Sequence, residues 1–485
     1  MESNGKTEFH DRIAEPPPIF AYSAKISEIG GNAKFIGRMS NGIGFTVGTL
    51  AGYSLPAIGL AGAKYCMFGN YPLSLKGLIG MPGMKKTIAL VFLFLGCCYW
   101  AAQGCTSAVV SGRATPDGRP LLWKHRDSSD QRGRIVHFPA QDGTFEFVGL
   151  VNGSDASLSE VWTGYNSCGF AVMNTASYNL KQDTVSLADR EGFVMKQALA
   201  TCRTLSDFDS LLRRLPRPLG VEANFGAIDA EGGAAYFEVN NDSVYRFDVA
   251  DAEQGYLIRT NYSVAGRKDG GLGYIRYENA ERLLSVAAAE KRLTPEYLMQ
   301  SVSRSFYHTL LGRDFCGEEW AVDQDFIPRR TTSAVLVVEG VLPGESPRYT
   351  TMWTVLGYPP CSVALPVWLG VKNGIPAVLC AAKSTEDAPL CLASSKLKCR
   401  AFPIVRGSGK HYLHIGVLYN SDGNGFMQRL VPVEQEVYRK SRKLLERYRQ
   451  AGLPLPEKPV GKLQAELSRT VMAELNRLEI QEQIK

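Results

Sequence analysis

From residue 106 onward the chain reads as short β-strands separated by tight-turn signals, and this pattern constrains the fold more than any other feature. The segments "TSAVVSG" and "PLLWKHRD" flank "TPDGR", which predicts a hairpin over 106–127 that turns at Pro116-Asp117-Gly118. Strand pairs of the same kind follow at 160–176, around Asp229–Gly233 and at 331–357. Because these hairpins fall into two groups with helices between them, we expect stacked antiparallel sheets covered by helices, an α+β fold.

Helical periodicity marks the segments between and after the strands. Apolar residues recur at helical spacing over 190–215, which ends at Pro216, and helices are also predicted at about 274–290 and 295–306. The last 60 residues turn charged and helical, with helices predicted over 433–450 and 461–482. We therefore expect a helical C-terminal extension at 431–485 behind a main domain at 105–430.

The segment before Cys105 has the pattern of an export signal. Residues 84–96, "MKKTIALVFLFLG", combine two lysines with an uncharged apolar run, and Ala102-Gln103-Gly104 places small residues where a signal peptidase cuts. We expect a signal peptide at 84–104 and export of the mature chain. Residues 1–83 are then expected to be a mis-annotated or non-essential N-terminal extension. An alternative makes 43–63, a Gly-rich apolar stretch, a membrane span.

Two cysteines also permit a lipid anchor. Cys105 follows Gly104, and Cys97 follows Phe94-Leu95-Gly96, and each is an imperfect lipoprotein site. A thioether-lipidated Cys105 has no free thiol, so lipidation and nucleophilic catalysis at this residue exclude each other.

Charge and motif content exclude several classes of protein. The net charge is +6, and the chain after residue 104 is nearly balanced, so nothing points to a nucleic-acid partner. The 11 cysteines contain no Cys-x-x-Cys, and the segment "RGSGKH" lacks phosphate-loop spacing. No Gly-x-Ser-x-Gly elbow is present. His411 and His414 lie three apart in a strand-like segment, so they point to opposite faces. No cofactor or metal is expected.

Cys105 has the chemistry of a nucleophile if cleavage makes it the first residue. An α-amine has an ordinary pKa of about 7.7–8, so it is substantially neutral near pH 7 and can accept the proton of its own side chain. The thiolate that results is intrinsically nucleophilic. Such a cysteine needs no histidine.

The chain resembles the N-terminal-nucleophile (Ntn) hydrolases of the penicillin acyltransferase (peptidase C45) and choloylglycine hydrolase type. The similarity starts with Cys105-Thr106 opening a strand, the Pro-Asp-Gly turn and "LLWKHRD", and runs in order to about residue 361. It implies a four-layer αββα sandwich, and it implies that Asp127 orients the new α-amine. Lys124 and His125 stand where the family often has Arg or Gln and then Asn.

Other motifs extend the resemblance and imply further site residues. "NSCGFAVMNTAS" and "VEANFGAIDAEGGAAYFEV" are similar to family segments that bring asparagines to the oxyanion, which maps to Asn174 and Asn224. "RTNY" resembles the Thr-Asn-His of the acyltransferase branch, with Asn261 and with Tyr262 in place of the histidine. "GYIRYENAERLL" resembles a helix start that bears a site arginine, which maps to Arg276. In this role Arg276 would favour the thiolate of Cys105.

The expected function is therefore an exported thiol amidohydrolase that cleaves a linear, non-peptide or small-peptide amide of a small molecule. Two alternatives stay open. One is an acyltransferase of the same fold that passes the acyl group to an amine. The other is a non-enzymatic exported lipoprotein that uses Cys97 or Cys105 as an anchor. The sequence does not choose between a signal-peptidase cut and self-processing at Gly104–Cys105.

Overall fold

The computed structural model of the protein describes residues 104–185, 189–381, 387–404 and 410–484, and the backbone of five short strands before them. The chain divides into two compact units, Met1–Tyr99 and Trp100–Lys485, and each is described by itself. The predicted signal peptide, 84–104, lies outside the described residues except for Gly104.

The described strands of the first unit form one three-stranded antiparallel sheet and one hairpin. These strands are Ser23–Ile29, Asn32–Arg38, Gly44–Thr46, Tyr65–Phe68 and Tyr71–Ser74. The segment 43–63, the alternative membrane span, falls outside the described residues apart from Gly44–Thr46.

In the second unit, thirteen described strands build two larger sheets. In chain order they are β1 (Thr106–Val110), β2 (Leu121–Asp127), β3 (Gly133–Phe138), β4 (Phe147–Asn152), β5 (Thr163–Asn166), β6 (Ala171–Ala176), β7 (Ala223–Ile228), β8 (Ala234–Val239), β9 (Val244–Asp248), β10 (Tyr256–Arg259), β11 (Thr332–Glu339), β12 (Thr351–Leu356) and β13 (Leu365–Val367).

Each of these sheets is antiparallel throughout. The first has the strand order β10-β1-β2-β11-β12-β13, and the second has the order β9-β8-β7-β6-β5-β4-β3. The hairpins predicted at 106–127, 160–176, Asp229–Gly233 and 331–357 are confirmed as β1–β2, β5–β6, β7–β8 and β11–β12. Strands β1, β2, β7, β8, β11 and β12 are buried along their whole length. This burial follows because each sheet faces the other sheet on one side and helices on the opposite side.

Among the described residues of the second unit, six longer helices flank the sheets. They are α1 (Glu191–Thr201), α2 (Leu205–Arg214), α3 (Tyr274–Ala289), α4 (Pro389–Ala401), α5 (Phe426–Ala451) and α6 (Glu457–Ile484). Helices α1 and α2 contact the second sheet, while α3, α4 and α5 contact the first. The two sheets pack face to face through β1 and β2 against β6, β7 and β8. The expected α+β sandwich of helix, sheet, sheet and helix layers is confirmed.

Shorter elements complete the unit. They are the helical turns Val249–Asp251, Pro295–Tyr297, Leu298–Val302, Thr309–Leu311, Pro347–Tyr349, Pro359–Cys361 and Ala377–Leu379 and the small strand pairs Tyr307–His308 with Arg313–Asp314 and Trp320–Val322 with Tyr412–His414. The π-helical turn Leu298–Val302 shortens the helix predicted at 295–306. Among the described residues, no helix has the length and apolar character needed to cross a membrane.

The helix predicted over 190–215 is two helices. The chain is extended at Cys202, and Thr204 then starts α2 through a capping box, in which its side chain accepts a hydrogen bond from Asp207 N at 3.2 Å. The backbone N–H of Thr204 in turn donates to the Asp207 carboxylate at 3.1 Å. The start of the new helix is satisfied locally, so the chain turns at this point although the apolar periodicity continues.

The C-terminal helices are joined to the first sheet through a buried ion pair. Glu434 of α5 accepts two hydrogen bonds from Arg304, at 2.7 and 2.8 Å, and one from Ala364 N at 2.7 Å. Arg304 also donates to the carbonyl oxygens of Pro359 and Ser362. Helix α5 is therefore fixed to the turn that connects β12 and β13.

Candidate active site

Cys105 lies immediately before β1, at the edge of the space between the sheets. Its residue is 7 % exposed, and its Sγ is 4.0 Å from the carbonyl oxygen of Asp127. Its backbone nitrogen donates a hydrogen bond to Asn261 Oδ1 at 3.0 Å. Gly104 is still attached in this structure, so that nitrogen is the one that becomes an α-amine if the Gly104–Cys105 bond is cut.

Arg276 reaches Cys105 from the first turn of α3. Its Nη1 donates to the carbonyl oxygen of Cys105 and, at 2.8 Å, to Thr106 Oγ1, while its Nη2 donates to Asn261 Oδ1 at 2.6 Å. The side chain is buried, and burial followed by the charge of Arg329 lowers its pKa to about 10. The guanidinium of Arg276 thus contacts the backbone of Cys105, and its role in the site stays a prediction.

A glycine allows this close approach. Gly273 precedes α3 with φ +87°, and a Cβ there would lie 2.4 Å from Arg276 Nη2. A side chain at this position would be strained and would also displace the guanidinium.

Asp127 ends β2 and pairs in register with Thr332 of β11. Its carboxylate accepts hydrogen bonds from Thr332 Oγ1 at 2.7 Å and from Nε and Nη2 of Arg329, with the Nε bond at 3.1 Å. In this uncut chain the acceptor for the Cys105 nitrogen is Asn261. The expected hydrogen bond between Asp127 and the α-amine therefore stays a prediction for the processed form.

Arg329, which the sequence analysis did not single out, lies beside Asp127 and Gly104 in the candidate site. Besides Asp127, its Nη2 lies 3.5 Å from the carbonyl oxygen of Gly104. A Cβ on Gly104 would lie 2.0 Å from the same nitrogen, so a larger residue at position 104 would displace the Arg329 guanidinium. Burial disfavours the charged form, but Asp127 outweighs it and the pKa of Arg329 is raised. No sequence signal marks Arg329, because it lies 202 residues from its partner.

The face of β2 opposite Asp127 carries two buried cations. Lys124 Nζ donates to Asn174 Oδ1 at 2.5 Å and to the carbonyl oxygen of Trp162 at 2.6 Å. Burial lowers the pKa of Lys124 to about 8, against an opposing effect of Cys105. Arg126 donates to Asn152 Oδ1 at 2.7 Å, and its guanidinium lies over the Trp162 ring. Lys124 and Arg126 are two residues apart on β2, so their side chains point to the same face of the sheet. The pairing of β1 with β2 places Cys105 on that face as well.

The two predicted oxyanion asparagines lie on neighbouring strands and use their side chains within the protein. Asn174 of β6 accepts from Lys124 and donates to Glu191, which is buried. Asn224 of β7 donates to Thr175 Oγ1 at 3.0 Å and to the carbonyl oxygen of Tyr262 at 3.1 Å. Both residues are placed near the interface of the sheets, and a contact with substrate stays a prediction.

Two cavities at the surface lie away from Cys105. One, of about 580 Å³, is lined by residues of β3 and α1, and another, of about 420 Å³, is lined by residues around Arg442. Neither is lined by Cys105, Asn261 or Arg276. Within the described ranges, no group of three His, Cys, Asp or Glu side chains is placed to hold a metal ion.

Comparison with known proteins finds a family model that matches part of the chain. Residues 132–307 match the model described as acyl-coenzyme A:6-aminopenicillanic acid acyl-transferase. The match confirms the predicted resemblance to the penicillin acyltransferase type over this range. The matched range contains Asn174, Asn224 and Arg276, and it begins after Cys105 and Asp127. No match was found among curated proteins.

Solved structures of low similarity include an acid amidase ortholog, a bile acid hydrolase and a penicillin acylase. A Caenorhabditis elegans N-acylethanolamine-hydrolyzing acid amidase ortholog is 15 % identical, with a TM-score of 0.32, and the match covers 50 % of this chain and 93 % of that one. A mutant form of the conjugated bile acid hydrolase from Clostridium perfringens is 12 % identical, with a TM-score of 0.36 and coverages of 56 % and 94 %. Penicillin V acylase from Agrobacterium tumefaciens is 10 % identical, with a TM-score of 0.31 and coverages of 56 % and 87 %. At this level of similarity they say nothing of what this chain binds or cleaves.

Proposed function

We propose that the protein is a thiol amidohydrolase that cleaves a linear, non-peptide or small-peptide amide through Cys105 as an N-terminal nucleophile. The observation that carries the proposal is the placement of Cys105. It lies directly before the buried strand β1, and its nitrogen is hydrogen-bonded to Asn261 and its carbonyl oxygen to Arg276. The family match supports the hydrolase or acyltransferase class.

In the proposed reaction the α-amine of processed Cys105 accepts the thiol proton, and Sγ adds to the amide carbonyl carbon. The ammonium then returns the proton to the leaving nitrogen as the C–N bond breaks, which leaves a thioester on Sγ. Water attacks the thioester in the same way, releases the acid and restores the thiol. Asn261 holds the amine, and Asn174 and Asn224 are the proposed oxyanion donors.

The family description favours a second function, transfer of the acyl group from the thioester to an amine instead of water. The two reactions share every step up to the acyl-enzyme. We further propose that a signal peptide at 84–104 exports the chain. A lipid anchor on Cys97 is compatible with this catalyst only if the Gly104–Cys105 bond is cut afterwards, and an anchor on Cys105 is not compatible with it.

The test starts with the full-length sequence expressed in a secreting host. Intact mass of the exported chain should place the N-terminus at Cys105 without a lipid, and a small alkylating probe should label that thiol. The processed chain is then supplied with a panel of N-acyl amines, with and without an acceptor amine. Amide hydrolysis that is lost in Cys105→Ala supports the proposal. A diacylglyceryl mass on Cys105, or full turnover in Cys105→Ala, would refute it.

A further inference from the structure

The backbone nitrogen of Cys105 lies close to two guanidinium groups. Arg276 Nη2 and this nitrogen share the acceptor Asn261 Oδ1, which places them within about 6 Å of each other. Arg329 Nη2 is 3.5 Å from the carbonyl oxygen of Gly104, and since that oxygen is two bonds from the same nitrogen, this second guanidinium also lies within about 6 Å.

The two guanidiniums differ in what neutralises them. Arg329 binds the Asp127 carboxylate through two N–H groups. The hydrogen bonds of Arg276 go to neutral oxygens, those of Cys105, Thr106 and Asn261. Among the described hydrogen bonds, Asp127 is thus already paired with Arg329, while Arg276 has no carboxylate acceptor.

Further charged groups of both signs act on these side chains. Lys124 and Arg126 of β2 and the buried Lys398 of α4 are cations, while burial lowers the pKa of His125 to about 4, so its imidazole is neutral near pH 7. Asp323 and Asp325 act electrostatically on Arg329, and Asp127 and Asp325 act on Arg276. An ammonium group formed at Cys105 would therefore lie close to two guanidiniums, and Asp127, the carboxylate predicted to orient it, is already paired with one of them.

We propose that Arg276 and Arg329 keep the α-amine of processed Cys105 in its neutral, proton-accepting form. Arg276 does so by direct repulsion of an ammonium group. Arg329 does so by pairing with Asp127, which offsets the negative charge of that carboxylate, so that it orients the amine but stabilises the protonated form less. The inference rests on the proposed function, because it concerns the base of that reaction, and it assigns Arg329 as a positioning residue.

The signs of the expected effects follow directly. A neutral amine is required for attack, so kcat/KM falls on the acid side as the amine becomes protonated in the free enzyme. Arg329→Met frees Asp127 to pair with the ammonium. The pH at which kcat/KM falls on the acid side, called the acid limb below, should then rise by about one pH unit, which is the shift expected for one charge at this distance. Arg276→Met should move the limb in the same direction. Asp127→Asn leaves Arg329 unpaired and should move it to lower pH.

The experiment measures kcat/KM against pH for the processed chain, made from the full-length sequence with its N-terminus verified by mass. For any variant that is not processed, a site-specific endoprotease sequence placed directly before Cys105 supplies the free amine. Arg329→Lys keeps the positive charge, so the acid limb of its kcat/KM profile should lie at the same pH as in the wild type. Arg330→Met is the matched control, because the described contact of Arg330 with Asp323 uses its backbone N–H. The double variant Arg329→Met/Asp127→Asn removes both charges of the pair, so its acid limb should lie closer to the wild-type pH than that of either single variant.

A second readout does not need activity. After reversible blocking of the thiol, acetylation of the α-amine is followed against pH by mass of the N-terminal peptide. The amine of Arg329→Met should react at higher pH than that of wild type, and the amine of Asp127→Asn at lower pH. Unshifted or reversed curves in the Arg329 and Arg276 variants would overturn the inference even if the enzyme is active. Shifted curves in a chain that cleaves no amide would support the inference and count against the proposed function instead.

Discussion

Replacing Glu434 with alanine tests whether the C-terminal helices belong to the folded core of the enzyme. The side chains of Glu434 and Arg304 are 0 % and 1 % exposed, so the variant leaves a guanidinium buried without its carboxylate. Burial disfavours the charged form of Arg304, but Glu434 outweighs it and the pKa of Arg304 is raised. The variant removes the carboxylate that raises this pKa, but arginine is not deprotonated in proteins, so Arg304 stays charged and loses its partner.

The magnitude follows from what is lost. Breaking a buried ion pair from one side costs about 3–5 kcal/mol, against a total stability of roughly 5–15 kcal/mol for a typical protein. The backbone N–H of Ala364 also loses its acceptor, which is 2.7 Å away. We expect Glu434→Ala to lose a large share of its unfolding free energy. Glu434→Gln, which keeps one acceptor oxygen, should lose less.

The assay is urea unfolding followed by tryptophan fluorescence. Trp353 of β12 reports on α5 because its ring is 4.3 Å, centroid to centroid, from that of Tyr438. The matched control is Glu436→Ala, which removes an exposed carboxylate from the same helix and should leave the unfolding midpoint almost unchanged. If Glu434→Ala unfolds at the same urea concentration as Glu436→Ala, the buried ion pair does not hold α5 to the sheet.

Three further predictions concern the site. If the side-chain amide of Asn224 donates to the oxyanion, Asn224→Ala should slow acylation by roughly 10²–10³, measured as single-turnover formation of the thioester. Normal acylation with a loss of stability alone would make Asn224 a packing residue. Asn261→Ala removes the acceptor shared by the Cys105 nitrogen and Arg276, so kcat should fall by at least about tenfold while Cys105 still reacts with an alkylating probe. Burial lowers the pKa of His125 in the folded protein to about 4, whereas the ordinary pKa of histidine is 6.5. Protonation of the unfolded chain therefore lowers the unfolding free energy as the pH falls from 6.5 towards 4. The thermal midpoint of His125→Phe should decline less over that range, and an equal decline would show that other groups account for the acid sensitivity.

The sheets were predictable from the sequence because turn chemistry is local. Pro116-Asp117-Gly118 and the residues at Asp229–Gly233 mark their hairpins without any knowledge of the rest of the chain. Apolar periodicity was a weaker guide. It does not show the break at Cys202, where local capping by Thr204 ends one helix and starts the next.

The candidate site was predictable where motifs carry it. The resemblance assigns Cys105 and Arg276 to one site, and the two residues are in contact. Asn261 belongs to the motif "RTNY", but its hydrogen bond to the Cys105 nitrogen was not predicted. Arg329 was out of reach, because its pairing with Asp127 depends on β11 lying beside β2. Register between strands so distant in the chain is set by packing of the whole sheet and not by nearby residues.

The central claim, that the α-amine of Cys105 is the catalytic base, is tested most directly by adding one residue before it. An endoprotease site placed so that the cut leaves either Cys105 or Gly-Cys105 at the N-terminus gives two chains of the full sequence that differ by one glycine. In the extended chain the thiol survives, but the Cys105 nitrogen is an amide that cannot accept a proton. The account predicts amide turnover in the chain that begins with Cys105 and its loss in the verified Gly-Cys105 form, with similar unfolding midpoints. Near-equal turnover in the two forms would contradict it.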